Sequence, residues 1–528
     1  MENYIECKTF KNSFIKDNHK VFLVIIILCI GILVRIINLS NMPGGINQDE
    51  AFAGYEAYSI LFYGKDSQGY ANPIYFVSWG SGMNVLYSYL TMPFILLAGG
   101  QLSTFIIRLP QVIFSCISLI IFFLVVERVC GNYKVSIIAL FLMAINPWHI
   151  MLSRWGLESN IAAAFLLFGL YFLLKGLEKE KWLMLSALFY GLSLYCYAPL
   201  WIVTPLILVM QCLYAFYYKK IRIGKYFIIS TIIFIIIAFP ILLFIAINKG
   251  MFNEVRTSII SIPKMPGFRG DEISLDSIID NISSFFYLVL SQDDNLVHNS
   301  INYFGFYYKF SLPVIVIGLV DSCKHIFSSF KKKEFDLHFY IFANLLSSFI
   351  LACVMKNINL NKINCIQISI IFYCAYGMYM ILKKSTISIF KGVIFLYAVS
   401  FIAFCIYYFG DYQKKINADF QIGCGSAIEY AIKKTEDKIY IDDRIYYSKV
   451  LFYTKLPVND FIQTRKYVKY PSFSLKPVSF DRFIYGSNFS NVEDNMVYVL
   501  ENDSIGIFIK RGFKIETFDN FSVAYKLK

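Results

Sequence analysis

Apolar runs of sixteen to twenty-two residues recur along the first 410 positions, near 21–37, 83–98, 107–127, 135–151, 159–175, 182–198, 201–218, 226–247, 305–324, 337–355, 363–382 and 391–409. A helix crossing a bilayer needs about 20 apolar residues, because no water in the hydrocarbon core can satisfy its backbone. The pattern therefore predicts an α-helical polytopic membrane protein. One run stands apart. Residues 83–98 form the shortest run, contain Pro93 and are joined to their neighbours by long polar sequence, so this segment is expected to lie in the interface.

Charge fixes the number of crossings. If 83–98 does not cross, sixteen Lys and Arg of the basic connections, from Arg128 to Lys391, share a side with Lys8, Lys11, Lys16 and Lys20 of the N-terminus. The short loops opposite carry only Arg154, Lys356 and Lys362. The positive-inside rule then gives about eleven transmembrane helices, a cytoplasmic N-terminal segment (1–20) and an extracytoplasmic C-terminus in a plasma (inner) membrane. The membrane domain would span 21–410, with outer loops at 38–106, 152–158 and 248–303. The first run follows basic residues as a signal peptide does, but it meets Arg35 and Asn38 without a small-residue cleavage site and reads as a retained helix.

The tail differs in kind. Residues 411–528 hold 18 basic and 15 acidic side chains in 118 positions, about 28% charged, against about 13% in the rest of the chain. Lys438–Asp442, Met496–Leu500 and Gly506–Lys510 alternate like strands, so a small extracytoplasmic mixed α/β domain is expected. Overall the chain is 57% hydrophobic and 18% aromatic, with a mean hydropathy of +0.56, which excludes a cytosolic enzyme or a nucleic-acid binder. The net charge of +13 is gathered between apolar runs, and the twelve cysteines show no C-x-x-C spacing, so disulfides and thiolate metal sites are not expected. The abundance of Ile, Lys, Asn and Tyr suits an A/T-rich bacterial genome.

Candidate chemistry lies in the outer connections. Asn47-Gln-Asp-Glu-Ala-Phe-Ala-Gly-Tyr-Glu56 follows the first helix behind Pro43-Gly44-Gly45, and adjacent carboxylates at a membrane rim are costly without a purpose. A helix starting at Gln48 puts Glu56 on the face of Asp49, with Glu50 about 100° away. The alternative reading is an acidic residue capping a helix N-terminus. Asn146-Pro-Trp-His-Ile-Met-Leu-Ser-Arg-Trp-Gly-Leu-Glu-Ser-Asn160 sets His149, Arg154 and Glu158 around Trp148 and Trp155. These residues suit sugar or acceptor binding, or else belt tryptophans and an i, i+4 ion pair. Arg108, Lys356 and Lys362 sit near the outer boundary, where they would meet a phosphate or simply snorkel. The loop 249–300, with Arg256, Pro263, Pro266, Arg269 and Asp293-Asp294, is long enough to be a lid or an acceptor platform.

Together these features resemble the GT-C superfamily of integral membrane glycosyltransferases, in particular the polyprenyl-phosphate-sugar-dependent group that includes protein O-mannosyltransferases and the lipid A aminoarabinose transferase. The likeness covers roughly residues 20–410. It is carried by Asp49-Glu50, by Arg108 in Phe105-Ile-Ile-Arg-Leu-Pro110, and by Glu158. It implies an inverting transfer of a sugar from a polyprenyl-phosphate donor to a protein, lipid or cell-wall acceptor at the outer face. Asp49 would be the general base, Glu50 and Glu158 would orient substrate, and Arg108 with Lys362 would bind the carrier phosphate. Asp49 and Glu158 could share a divalent metal ion; no other cofactor is implied. Glu158 stands where relatives carry Asp, and neither Asn72-Pro73 nor Ser81-Gly-Met-Asn84 supplies the cation of their basic-plus-Pro motif.

A lipid-linked oligosaccharide flippase or transporter, or a polysaccharide polymerase, is the competing class. Transporters place ionisable groups near mid-membrane. Here Arg35, Glu127 and Asp321 lie towards helix ends, and the acidic residues gather at one rim.

Overall fold

The computed structural model describes residues 18–79, 82–268, 272–273, 275–468, 475–487 and 492–526. The basic residues Lys8, Lys11 and Lys16, Ser81 and Arg269 lie outside them. The described residues open with α1 (Asn18–Ile36), α2 (Gln48–Tyr63), a two-stranded hairpin β1 (Tyr75–Phe76) and β2 (Met83–Asn84), and α3 (Leu86–Leu97). Then come α4 (Thr104–Cys130), α5 (Tyr133–Ala144), α6 (Pro147–Leu152), α7 (Glu158–Gly176), α8 (Leu183–Ser193), α9 (Leu200–Tyr217) and α10 (Lys225–Asn248). A second hairpin, β3 (Val255–Arg256) and β4 (Ser261–Ile262), precedes α11 (Ile278–Ser291), α12 (Leu312–Lys332), α13 (His338–Val354), α14 (Gln367–Lys384) and α15 (Ile387–Phe409).

Among the described residues, eight helices are long and apolar enough to cross a membrane: α1, α4, α7, α9, α10, α12, α14 and α15, with short 3-10 turns leading into α12 and α14. This is a multi-pass membrane protein. Helices also fill the other three expected crossings, but α5, α8 and α13 have only 12, 11 and 17 residues. The expected run at 135–151 is two helices. Asn146 breaks it, its side chain accepting from His149 N at 3.0 Å, while Pro147 takes the first position of α6, where no amide hydrogen is needed. The segment 83–98 holds a helix of only 12 residues, α3.

The centre of the bundle is formed by α7 and α14, buried nearly all round. Its outside is apolar: Ile236, Phe239 and Leu242 of α10 and Phe395, Ile402 and Ile406 of α15 are all more than half exposed, as surface facing hydrocarbon must be. Where α12 crosses α14, Gly318 faces Gly377 so closely that a Cβ on either would strike the other helix's backbone, at Tyr373 O and at Val314 O. Small residues permit such approaches in membranes, where packing replaces the hydrophobic effect.

The described part of the loop 249–300 holds regular structure. The β3–β4 hairpin docks on the first outer loop, Ile74 N donating to Ser261 O at 3.0 Å. Helix α11 buries Asn281, Phe285 and Leu288 and exposes Ile279, Tyr287 and Leu290, so it is amphipathic, which a search for uniformly apolar runs passes over. Asp293 and Asp294 hold the loop's own turns: Asp293 accepts from Ser300 Oγ, Asp294 from Asn299 and from Leu360 N.

Beyond α15 come α16 (Tyr412–Asp419), α17 (Cys424–Lys434), β5 (Ile439–Asp442), α18 (Tyr447–Thr454), α19 (Val458–Thr464), β6 (Lys466–Tyr467), β7 (Pro477–Phe480), β8 (Phe483–Gly486), β9 (Val497–Glu501), α20 (Gly506–Lys510), β10 (Lys514–Phe518) and β11 (Phe521–Tyr525). The strands form one mixed sheet in the order β10-β11-β9-β5-β8-β7-β6, with β5 parallel to both β8 and β9. Alternate residues of β9 serve opposite faces. Val497 and Val499 pack with Ile428 and Ala431 of α17, whereas Tyr498 and Leu500 pack with Phe508 and Phe513. The strands expected at 438–442 and 496–500 are present as β5 and β9. Gly506–Lys510, also expected as a strand, is helix: it buries Phe508 alone and leaves Ile507 and Ile509 to solvent, a five-residue alternation too short to specify a period.

Gly318→Val or Gly377→Val should overpack the α12–α14 crossing, costing about 1–3 kcal/mol or more, and lower the melting temperature of the detergent-solubilised protein. Gly392→Ala, where an added Cβ meets nothing, should leave it unchanged.

Candidate active site

Helix α2 starts with a capping box. The Asn47 side chain accepts from Asp49 N at 2.9 Å, and the Glu50 carboxylate accepts from Asn47 N at 3.2 Å. This cap points Glu50 inward, fully buried, where Arg108 of α4 donates to it twice, Nε at 2.9 Å and Nη2 at 3.1 Å. Glu50 also accepts from Gly156 N at 2.7 Å. The remaining Arg108 donors go to the carbonyls of Leu39, Pro43 and Gly45. One ion pair thus ties together the segment after α1, the start of α2, α4 and the loop before α7.

Asp49, one position earlier on the helix, points elsewhere and is half-buried; Trp79 Nε1 donates to it at 3.3 Å. Glu158 opens α7 two residues after Gly156, is also half-buried, and accepts a short hydrogen bond from Asn84 N. Trp79 lies in the connection that follows β1, and Asn84 is the last residue of β2, paired with Tyr75. Asp49 and Glu158 therefore each accept a hydrogen bond from the β1–β2 segment, while the Glu50–Gly156 bond ties the start of α2 to the loop before α7. At the first position of α7, Glu158 also faces the positive end of the helix dipole.

The lysine loop lies against the same helix start, where Asn364 Nδ2 donates to Ser159 O at 2.8 Å. Within that loop Lys362 Nζ reaches Lys356 O and Glu272 Oε2, both at 3.0 Å, and Lys356 and Lys362 each stay partly exposed. Asp49 and Glu158 thus share the β1–β2 segment as a partner, and the loop that carries Lys356 and Lys362 touches α7 one residue beyond Glu158.

Other expected site residues are placed differently. Arg108 cannot meet a carrier phosphate as it stands, because it is fully buried and its donors are spent on Glu50 and three carbonyls. Arg154 does not pair with Glu158. It is buried and donates to the carbonyls of Val34, Arg35, Ile37 and Met42, closing the C-terminal end of α1, whose last carbonyls lack helical partners. His149 is buried, its Nδ1 2.7 Å from Arg35 Nη2. Trp148 and Trp155 are 2% and 1% exposed, which rules out both a belt position and an open sugar platform; Trp155 packs on His298 and Phe420.

Glu56, seven residues beyond Asp49 along α2 and so on the same face, is fully buried, accepting from the Ser67 amide (2.8 Å) and hydroxyl. Burial pushes its pKa upward, and the nearby Asp66 carboxylate adds to the shift. Trp79 and Asn84 were not expected as partners of Asp49 and Glu158, because both contacts are long-range and made by a hairpin of two-residue strands. Among the described residues no third His, Cys, Asp or Glu joins Asp49 and Glu158 in a metal-binding group. A divalent ion there would have to complete its shell from water or a substrate phosphate, as Mg²⁺ commonly does.

The family model for dolichyl-phosphate-mannose-protein mannosyltransferases matches residues 78–244. No curated protein matches the chain in sequence. Among solved structures, ArnT from Cupriavidus metallidurans in the apo state superposes with a TM-score of 0.54 at 10% identity, over 96% of this chain and 97% of that one. The same protein bound to undecaprenyl phosphate gives 0.55 at 9% identity with the same coverage. The apo Archaeoglobus fulgidus oligosaccharyltransferase gives 0.51 at 11%, over 84% of this chain and 64% of that one. The chain has the GT-C fold. Within this GT-C scaffold the start of α2, which carries Asp49, lies against the C-terminal sheet domain, whose Ser448 Oγ donates to Gln48 O at 3.0 Å.

Removing one partner of a dry ion pair costs about 3–5 kcal/mol. Arg108→Ala or Glu50→Ala should therefore lower the melting temperature sharply, whereas Asp49→Asn should change stability by no more than about 1 kcal/mol. For Glu56 the folded-state pKa lies above the unfolded one, so its contribution to stability is present at low pH and lost as pH rises from the ordinary carboxylate range past neutrality. The melting temperature should fall over that interval, and Glu56→Gln should flatten the fall.

Proposed function

We propose that this protein is an inverting glycosyltransferase that moves a sugar from a polyprenyl-phosphate donor to an acceptor hydroxyl at the extracytoplasmic face of the plasma membrane. The observation that carries the reading is that Asp49 and Glu158 both accept hydrogen bonds from the β1–β2 segment, with the loop of Lys356 and Lys362 against the start of α7. The ArnT structure bound to undecaprenyl phosphate supports the choice of donor class. Positive charge on the opposite connections supports the orientation, with the N-terminus cytoplasmic and the C-terminal domain outside.

In this reaction Asp49 takes the proton of the acceptor hydroxyl as its oxygen attacks the anomeric carbon from the face opposite the phosphate. A new carbon–oxygen bond forms and the bond to the phosphate oxygen breaks. The polyprenyl phosphate departs with the electron pair. Lys362 and Lys356 stabilise the charge developing on that oxygen, Lys362 exchanging Glu272 for phosphate. Arg108 and Glu50 act through position, setting the direction in which Asp49 points. Glu158 faces the sugar. A divalent ion, when held by Asp49 and Glu158, would polarise the acceptor hydroxyl and ease the loss of its proton. The acceptor is a protein, a lipid or a wall glycan.

Purified protein given undecaprenyl-phosphate sugars should release free undecaprenyl phosphate when a hydroxyl acceptor is present. Asp49→Asn should slow release by about 10²-fold or more while leaving melting intact, and Lys362→Ala should raise the donor KM about tenfold. Full activity in Asp49→Asn would remove Asp49 from the mechanism. Labelling a cysteine placed at residue 158 from the cytoplasmic side alone would overturn the orientation.

A further inference from the structure

Trp79 touches Asp49 and the C-terminal domain at once. Its Nε1 donates to Asp49 Oδ1 at 3.3 Å. Its ring lies 5.7 Å from that of Phe52, which follows Asp49 by three residues and so neighbours it on α2. From the C-terminal domain, Tyr446 and Tyr447 meet the indole edge-on at 5.2 and 5.3 Å, and Leu475 N donates to Trp79 O at 3.2 Å. The backbone is held too: Trp79 has φ of +50°, a left-handed conformation that a bulky residue keeps only where its surroundings impose it.

We infer that Trp79 is a positioning residue for the transfer, and that through it the C-terminal domain sets the direction of the Asp49 carboxylate. This rests on the glycosyltransfer reading above, with Asp49 as base, and deepens it. The Glu50–Arg108 pair fixes the helix start that carries Asp49, and the indole N–H fixes the side chain. A neutral donor suits that task. It orients a carboxylate without cancelling its charge, as a lysine or arginine in the same place would, so the base keeps its power to take a proton. The same domain also grips the residue before the base, since Ser448 Oγ donates to Gln48 O at 3.0 Å. Consecutive residues at the start of α18, Tyr446 to Ser448, thus hold both the partner of Asp49 and its neighbour in the chain. Small errors in the placing of a reacting group cost large factors in rate, so a contact of this kind is read in turnover and not in binding.

The test follows release of undecaprenyl phosphate from its sugar conjugates by the purified full-length protein and places Trp79 and Asp49 in a double-mutant cycle. Trp79→Phe keeps a ring against Phe52, Tyr446 and Tyr447 but loses the N–H. It should lower kcat about tenfold, with donor KM and melting temperature unchanged, and Trp79→His, which restores a ring N–H, should recover part of the loss. In the Asp49→Asn background Trp79→Phe should change kcat by less than about twofold, because its effect passes through the carboxylate. Tyr446→Ala, a change at an exposed residue that leaves the N–H in place, should lower kcat in wild type and not in Asp49→Asn. If no conjugate releases carrier with wild-type protein, the glycosyltransfer reading falls and the role of Trp79 with it. If wild type is active but Trp79→Phe keeps its kcat, or loses it equally with and without Asp49, Trp79 does not position the base. Full kcat in Tyr446→Ala would remove the C-terminal domain from the scheme. The Tyr446→Ala cycle decides even if Trp79→Phe fails to fold.

Discussion

Glu50 and Arg108 meet where there is no water, and the acidic residues around them take their places from that contact. A carboxylate and a guanidinium buried together survive only if every lone pair and proton is used. Here the pair also engages Gly156 N, Asn47 N and three carbonyls. Because the Glu50 carboxylate reaches back to its own helix cap and forward to Gly156, it fixes the residue before it, Asp49, and the residue two beyond Gly156, Glu158. The two half-exposed carboxylates are held by one fully buried neighbour.

The tail domain contributes to the same constraint. Ile46 N donates to Phe420 O at 2.9 Å, Tyr55 Oη to Leu456 O at 2.7 Å, and Trp79 stacks edge-on against Tyr446 and Tyr447. Gly45 passes so near Phe420 O and Ile422 N, with φ at +86°, that only glycine fits there. The C-terminal domain therefore packs on the start of α2 and on the aromatic partner of Asp49. Lys449 is buried in this contact and bonded to Gln421 Oε1 at 2.7 Å; burial lowers its pKa to about 8.

Much of the fold was legible because lipid imposes a simple rule: apolar runs of the right length must be helices. The positions of α1, α4, α7, α9, α10, α12, α14 and α15 follow from that rule alone. Where helices are enclosed by protein the rule loosens. α5 needs only 12 residues because its neighbours, and not its length, keep its backbone out of lipid, so hydropathy merges it with α6. The acidic pair was legible from its chain positions. The hairpin that joins the pair was not, since two-residue strands carry no period and the partners lie 30 and 74 residues away.

The cations were the least legible, and the reason lies in what arginine and lysine can each do. Arginine carries five donors in a rigid fork, and the membrane rim is where helices end with carbonyls that need donors. Arg35 serves Gly31, Met143 and Ala144, Arg108 serves Leu39, Pro43 and Gly45, and Arg154 serves Val34, Arg35, Ile37 and Met42. All three are structural staples around the end of α1. Lysine, a mobile point charge on a flexible stem, makes a poorer staple and a better exchanging partner. Lys362 holds one surface carboxylate and one carbonyl, bonds that a phosphate oxygen could replace without unfolding anything. Burial thus sorts the rim cations into those locked into the scaffold and those that can exchange partners, a division that residue type and position along the chain do not reveal.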